Sequence, residues 1–189
     1  MKKICDIILI LLIIVAIIVG TLITIKYIGR QKNESILKEI VSQIENVTDS
    51  KEENIQMNGY NIEGIIEIPK INIKYPIIDE TTDITMKLST TKFCGNGINE
   101  IGNYTIAGHN NKDGTMFGKT KYLELGDTIN IIDLNLNKIQ YEIFKIYVVN
   151  PNDVTCLESV DDLTREITLI TCTNGHANRL ITKARQINN

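Results

Sequence analysis

The chain has 189 residues, of which 20 are basic and 23 acidic, so its formal net charge at neutral pH is −3. Lysine and arginine cluster only beside an apolar N-terminal run, and the electrostatic footprint of a nucleic-acid-binding protein is therefore missing. The residues that follow this run, about 160 in number, match the usual size of one domain with a single hydrophobic core.

The N-terminal run, Ile7–Ile25, carries no charged residue. Its length is sufficient to cross a bilayer as a helix. It continues into Lys26 and Arg30 without a small-x-small cleavage site, which favours an uncleaved signal anchor over a cleavable signal peptide. We therefore expect a short tail at residues 1–6 and one transmembrane segment at residues 7–25. Basic residues flank both ends of this segment, so the positive-inside rule does not fix its orientation.

A second helical pattern follows the apolar run. Between Glu34 and Val47, apolar side chains recur at steps of one, three and four residues, which predicts an amphipathic helix with one apolar stripe. The charged stretch Asp49–Asn54 predicts a linker. We assign residues 26–56 to this juxtamembrane helix and linker, and residues 57–189 to one folded domain. The stripe consists of Ile36, Leu37, Ile40, Val41, Ile44 and Val47.

From Met57 onwards, the pattern changes to short β-rich segments with period two. Pro69 and Pro76 lack an amide donor and are expected at strand ends or edges, and Asn135–Asn137 predicts a turn. Many short strands with few long helices predict a mostly β fold, a closed or nearly closed barrel. Short helical or irregular pieces are expected at Thr82–Leu88, Met116–Leu123 and Asp153–Leu163. The predicted strands are Gly64–Ile68, Ile71–Ile73, Tyr75–Ile78, Gly102–Gly108, Thr128–Asp133, Ile139–Asn150, Ile167–Thr173 and Arg179–Ile187.

Two of these strands end on chemically reactive residues. Cys172 lies at the end of an alternating run that begins at Glu166, and Arg179 follows after a short polar turn. His109 ends the run that begins at Tyr104. A cysteine becomes a useful nucleophile when a base takes its proton and a cation lies near its acyl adduct. Cys172, His109 and Arg179 are therefore candidate catalytic residues.

The remaining cysteines, Cys5, Cys94 and Cys156, give no sign of a metal site or a disulfide framework. No pair of cysteines in the chain has CxxC spacing. We expect free thiols, no metal and no cofactor. Cys94 and Cys156 are interpreted as structural, because cysteine is among the most buried residue types and no alternating strand followed by an arginine leads to Cys156.

Four sequence blocks carry a resemblance to a known family: Gly64–Ile73, Ala107–Asn110, Leu123–Ile129, and Thr168–Cys172 followed by Arg179–Ile181. In this order and spacing they resemble the sortases, the membrane-anchored cysteine transpeptidases of Gram-positive bacteria. The resemblance covers nearly all of the chain after the linker. It implies a closed eight-stranded β-barrel with short helices, in which the cysteine, the histidine and the arginine meet at one end of a groove.

The resemblance also implies a reaction. Cys172 would attack the threonine carbonyl of an LPxTG-type sorting signal, and an amine from a peptidoglycan precursor or a pilin lysine would resolve the thioacyl enzyme. His109 suits the role of base and acid because the pKa of imidazole lies near the operating pH. Arg179 suits the developing oxyanion because a guanidinium stays charged and offers several donors. Alternation turns Thr171 away from Cys172, where it is expected to hydrogen-bond locally or to hold the substrate. Asn110, directly after the histidine, is a second candidate substrate contact.

Two alternatives stay open at this point. His176 competes with His109 because it lies four residues after Cys172, but Thr173–Gly175 predicts a turn, and we interpret His176 as a loop residue near the groove. A non-enzymatic, membrane-tethered β-barrel that binds partners is the alternative from a different function class.

The sequence favours some branches of the family over others. Asn110 and the sequence Thr171–Thr173 favour class B or a related small branch, although the long helical insertion of class B is missing. No lid segment precedes the first strand, so protein anchoring is favoured over pilin polymerisation. Sortase substrates are exported, and the resemblance therefore implies a single-pass cell-membrane protein whose catalytic domain is extracellular.

Overall fold

The computed structural model describes residues 2–46, 55–159 and 163–187. The chain divides into two compact units, residues 1–36 and 37–189. Helix α1, Lys2–Asn46, contains the predicted transmembrane segment and is long and apolar enough to cross a membrane. The predicted linker, Asp49–Asn54, lies outside the described residues.

The predicted amphipathic helix is the last part of α1 rather than a separate helix. Between Ile25 and Glu34 the chain has no proline, and Gly29 alone costs about 1 kcal/mol of helix propensity, so nothing ends the helix there. Within the second unit, four members of the predicted stripe are buried, which confirms the apolar face. They are Leu37, Ile40, Val41 and Ile44.

The second unit is built mainly of strands. Two short helical elements matter for the site: the one-turn helix α2, Thr85–Leu88, and a 3₁₀ turn at Thr155–Leu157. Further 3₁₀ turns lie at Pro69–Ile71 and Thr120–Tyr122. The strands are β1 Gln56–Met57, β2 Tyr60–Ile68, β3 Ile73–Ile78, β4 Thr90–Cys94, β5 Gly102–Ala107, β6 Thr128–Asp133, β7 Lys138–Val149, β8 Arg165–Thr173 and β9 Asn178–Gln186.

Strands β2 to β9 close into a barrel. Their order is β2-β3-β4-β5-β8-β9-β7-β6, and β6 pairs again with β2, while the two-residue β1 adds to the side of β2. The β3–β4 and β5–β8 pairs are parallel, and the other pairs are antiparallel. Closure leaves no unpaired barrel edge, which removes the usual route to edge-to-edge association. The predicted closed eight-stranded barrel is confirmed.

The observed strands differ from the predicted ones at three places. Pro76, predicted at a strand end or edge, lies inside β3, opposite Ile65 of β2. It is tolerated there because β4 pairs with β3 only from Ile77 onwards. Residues 71–73 are not one strand: Ile71 ends a 3₁₀ turn that starts at Pro69, and the next residue is left-handed at φ 53°. Strand β4 was not predicted, because its Thr-Thr-Lys-Phe-Cys sequence does not alternate.

Candidate active site

The β8–β9 hairpin brings two of the three candidate catalytic residues together. Cys172 and Arg179 are direct partners in its antiparallel register, and Ile170 and Ile181 form the next pair on the same face. Directly opposite residues on one face have Cβ atoms about 5 Å apart. All four residues line one pocket of about 270 Å³. The alternation of β8 therefore delivers the thiol and the guanidinium to the same cavity.

The end of β5 brings His109 beside Cys172. The parallel β5–β8 ladder ends at the pair Ala107–Ile170, so the residue two places further on each strand is His109 on one side and Cys172 on the other. Two hydrogen bonds keep the chains together beyond the ladder. The Thr171 hydroxyl donates to the Gly108 carbonyl at 2.7 Å, and the Asn110 side-chain amide donates to the Cys172 carbonyl at 2.7 Å.

The backbone of His109 is fixed from its other side as well. The Phe117 amide donates to the His109 carbonyl at 2.9 Å, and Asn110 forms an isolated bridge with Met116. Phe117 is fully buried, and its ring would lie 2.6 Å from a Cβ placed on Gly108. Glycine is therefore required before the histidine, because only glycine lets the aromatic ring pack against the backbone at this point.

Burial and nearby charges favour the neutral form of His109. Desolvation is the largest cause that lowers the pKa of His109 below its ordinary value, followed by positive charge on His176 and Lys87. Asp83 acts in the opposite direction. A neutral imidazole can accept a proton, so His109 has the protonation state that a base requires near neutral pH.

The second histidine, His176, lies in the exposed turn between β8 and β9 with a left-handed φ of 77°. Its positive charge is one of the causes that lower the pKa of His109. The backbone carbonyl of His176 accepts a hydrogen bond from Arg179 Nη1 at 3.1 Å. Arg179 also donates to the Asn178 carbonyl at 3.2 Å. The guanidinium therefore lies over the turn, half-buried at the pocket.

Sequence reasoning missed the walls of the pocket. One set of lining residues comes from the β7–β8 connection, and a second set comes from residues around α2 and β4. These residues are far apart along the chain and follow no periodic pattern, so the sequence carries no signal for them. The pocket residues of the first set are Pro151, Asp153, Val154, Cys156 and Leu157; those of the second are Thr81, Met86 and Phe93.

The other thiols differ in their surroundings. Cys94, Cys156 and Cys172 are free. Cys156 is buried at the pocket wall, and burial together with the negative charge of Asp153 raises its pKa, so its thiol stays protonated. Within residues 2–46, 55–159 and 163–187, His, Cys, Asp and Glu side chains form no cluster of three or more that could hold a metal ion.

Comparison with known proteins agrees with this architecture. Residues 66–187 match the family model described as "Sortase domain". Sortase A of Bacillus anthracis is 31% identical over 120 residues, which are 63% of this chain and 56% of the relative. Sortase D of Bacillus subtilis strain 168 is 31% identical over 110 residues, covering 58% and 53% respectively. Among solved structures, a Clostridium perfringens sortase D5 transpeptidase is 29% identical with a TM-score of 0.68, covering 82% of this chain and 98% of that one.

The chain folds as a closed eight-stranded β-barrel in which a cysteine and an arginine pair across the final hairpin. The chain belongs to the sortase family. It spans about half the length of the curated relatives it matches. The predicted class, B or a related small branch, stays a prediction.

Proposed function

We propose that the chain is a membrane-anchored cysteine transpeptidase in which Cys172 is the nucleophile, His109 the base and acid, and Arg179 the oxyanion donor. The observations that carry this proposal are two: Cys172 pairs with Arg179 across one hairpin, and the β5–β8 ladder ends at Ala107 and Ile170, two residues before His109 and Cys172. Membership of the sortase family supports the reaction type.

In the first half-reaction, a peptide carbonyl enters beside Cys172. A free thiol is mostly protonated at neutral pH, so attack requires transfer of its proton to a base. His109 takes that proton as the S–C bond forms. The tetrahedral intermediate then collapses, the C–N bond breaks, and the imidazolium returns the proton to the departing amine. The product is a thioacyl enzyme, and no external acid or base is consumed.

Arg179 stabilises the negative charge that develops on the carbonyl oxygen. Its donors already bond two carbonyls of the β8–β9 turn, which fixes the guanidinium at the pocket before the substrate arrives. We expect Arg179→Lys to lower kcat about 100-fold, because the single ammonium does not reproduce the planar fork. Arg185→Lys on the same strand is the matched control and is expected to be neutral. Equal loss in both variants would remove the oxyanion role from Arg179.

The second half-reaction uses an amine in place of water. The amine attacks the thioester carbonyl, His109 takes its proton, and the C–S bond breaks to regenerate the thiol with the proton returned from the imidazole. We propose an LPxTG-type sorting signal as the acyl donor and a peptidoglycan precursor or another amine as the acceptor. Thr171 and Asn110 were predicted to touch substrate; both side chains hydrogen-bond the backbone of the neighbouring strand end, and substrate contact stays a prediction.

The topology we propose is single-pass. Residues 7–25 are the membrane anchor, residues 26–56 the juxtamembrane helix and linker, and residues 57–189 the extracellular catalytic domain. The apolar helix α1 supports the anchor. Protease added to intact cells should digest the domain, and protection of the domain would contradict this orientation.

The decisive experiment tests for the acyl intermediate. The full chain in detergent is incubated with a panel of pentapeptide sorting signals, and mass spectrometry searches for an adduct on Cys172. We expect an adduct with at least one peptide, none in Cys172→Ala, and no amine transfer in His109→Ala. Cys156→Ala should retain most of the activity. An adduct on Cys156, or full activity of Cys172→Ala, would overturn the proposal.

If Cys172 reacts with none of the peptides, the result would instead favour a tethered binding module.

The variant His176→Ala tests which of the two histidines is the base. We expect it to be impaired only modestly, whereas an inactive His176→Ala beside an active His109→Ala would give the base role to the second histidine.

A further inference from the structure

One wall of the pocket is held by buried polar side chains from the barrel. The wall segment, Val154–Glu158, contains the 3₁₀ turn at Thr155–Leu157 and contributes three side chains to the pocket that also holds Cys172. It belongs to the β7–β8 connection and forms no strand pairing of its own. Its position therefore depends on what holds its backbone.

Three successive carbonyls of the wall segment accept hydrogen bonds from the barrel. The Asn103 side-chain amide donates to the carbonyls of Cys156 at 3.2 Å and Leu157 at 2.9 Å. Lys183 Nζ donates to the carbonyl of Glu158 at 2.7 Å. The last carbonyls of a helical turn have no partner inside the turn, so these donors satisfy carbonyls that the turn itself leaves unpaired.

A second layer of contacts holds the donors themselves. The Thr168 hydroxyl donates to Asn103 Oδ1 at 2.8 Å and lies 3.4 Å from the Cys156 carbonyl. Lys183 forms an ion pair with Glu166 at 3.7 Å, and both side chains are buried. Asn103, Thr168 and Lys183 are less than a tenth exposed. Burial of polar groups is costly unless each is satisfied, so this cluster specifies one position for the segment more strongly than apolar packing does.

The other end of the wall segment is fixed locally. Asp153 Oδ1 accepts from the Thr155 amide at 3.0 Å and from the Thr155 hydroxyl at 2.6 Å. Asp153 therefore holds the start of the turn, and side chains from β5, β8 and β9 hold its end. Strands β8 and β9 are the same two strands that carry Cys172 and Arg179.

We propose that Asn103, Thr168 and Lys183 are positioning residues that hold the wall segment against the barrel and so keep the substrate pocket formed before substrate binds. The hydrogen bonds alone support the inference that these residues hold the wall segment. The inference that the pocket binds a peptide substrate rests on the proposed function. None of the three residues lines the pocket, so they act through the segment that does.

The chain provides a matched control for Thr168. Thr105 pairs with Thr168 in the β5–β8 register, is fully buried, and has a hydroxyl without a hydrogen-bond partner. Thr→Val replaces the same hydroxyl by a methyl group at both positions. Only Thr168→Val removes a hydrogen-bond donor that helps to hold the wall segment. The difference between the two variants therefore isolates the contribution of this donor.

The first test does not depend on enzymatic activity. Both variants are made in the full chain with Cys172→Ala, and the alkylation rate of Cys156 by N-ethylmaleimide is measured by peptide mapping. Cys156 is buried by the wall segment's packing and reacts when the segment moves away. The loss of one hydrogen bond raises the fraction of molecules with a released wall segment about fivefold. We therefore expect Cys156 to be alkylated about fivefold faster in Thr168→Val than in Thr105→Val.

Hydrogen exchange separates local release from global unfolding. In Thr168→Val the amides of Leu157 and Glu158 should exchange faster, while that of Leu169 in β8 should not. Faster exchange at all three sites would attribute the labelling to general instability and overturn the proposal. Equal Cys156 labelling in the Thr168 and Thr105 variants would also overturn it.

The second test uses the active chain and a peptide that the wild type cleaves. Asn103→Ala removes both carbonyl contacts and the acceptor for Thr168, and we expect it to raise KM with kcat retained. Alkylation of Cys172 by a small reagent should be unchanged, because β8 and β9 are intact. A fall in kcat at constant KM would contradict the positioning role. If the wild type cleaves no peptide, the result counts against the proposed function. The Cys156 labelling rates then test by themselves whether these residues hold the wall segment.

Discussion

The hydroxyl of Thr171 offers a sharp test of how the two strand ends are held together. It donates to the Gly108 carbonyl at 2.7 Å, directly before His109, and the side chain is only 4% exposed. Thr171→Val keeps the shape of the side chain and removes this donor. The variant therefore loosens the contact between the residue before the base and the residue before the nucleophile.

The size of the effect follows from the contact. One buried neutral hydrogen bond contributes about 1 kcal/mol net to stability, and the carbonyl left behind is buried. For a domain of this size, 1 kcal/mol corresponds to roughly 3 °C in Tm. If the same energy is lost from the arrangement of base and nucleophile in the transition state, kcat falls about fivefold.

Steady-state cleavage of a sorting-signal peptide separates two roles for Thr171. A positioning role predicts lower kcat with KM unchanged, whereas the substrate contact predicted from the sequence requires a higher KM. Thr105→Val is the control, because it makes the same chemical change at a buried hydroxyl without a partner. Identical kcat, KM and Tm in the two variants would refute the reasoning.

Two further predictions concern His109. Activity that needs the neutral base is lost as the pH falls through the pKa of His109, which lies below the ordinary histidine value. Lys87→Met removes a positive neighbour and should move the acid limb of kcat/KM to higher pH, whereas Asp83→Asn should move it to lower pH; shifts of the same sign would contradict this electrostatic account. Both shifts should shrink in 1 M salt, because the two side chains are exposed. Gly108→Ala should lower kcat at least tenfold and lower Tm, because the Phe117 ring occupies the space that a Cβ needs; Gly29→Ala, where nothing lies within 4 Å of the added Cβ, is the control.

The sequence alone predicted the strands that contain the candidate catalytic residues. In β8, apolar and β-branched residues alternate over several positions, and this pattern predicted one face for Ile170 and Cys172, which the register pairs with Ile181 and Arg179 of β9. The residues before Asn178 predicted a turn, and the structure has the turn of the β8–β9 hairpin there. Strong periodicity with clear turn signals leaves little freedom for the register, since a slip of one residue would reverse every side chain.

Other parts of the fold depended on contacts that the sequence does not display. Strand β4 has no alternation and is defined by its neighbours, and Pro76 is accepted within β3 because β4 pairs with β3 only from Ile77 onwards, so no partner on that side requires the missing amide hydrogen. The pocket wall is a segment with little regular structure. The side chains that hold this segment in place lie on β5, β8 and β9. Those on β5 and β9 are distant from the segment along the chain.

One face of β8 links the reaction centre to the pocket wall. Every second residue has a different duty: Cys172 carries the thiol, Ile170 lines the pocket, Thr168 anchors the wall segment, and Glu166 pairs with Lys183. Because these four side chains share one strand register, a displacement of β8 that misplaced the thiol would also release the wall. The pocket and the nucleophile are therefore positioned by the same backbone, and a variant that releases the wall without moving the thiol must remove an anchoring side chain and leave the β8 backbone in place, as expected for Thr168→Val.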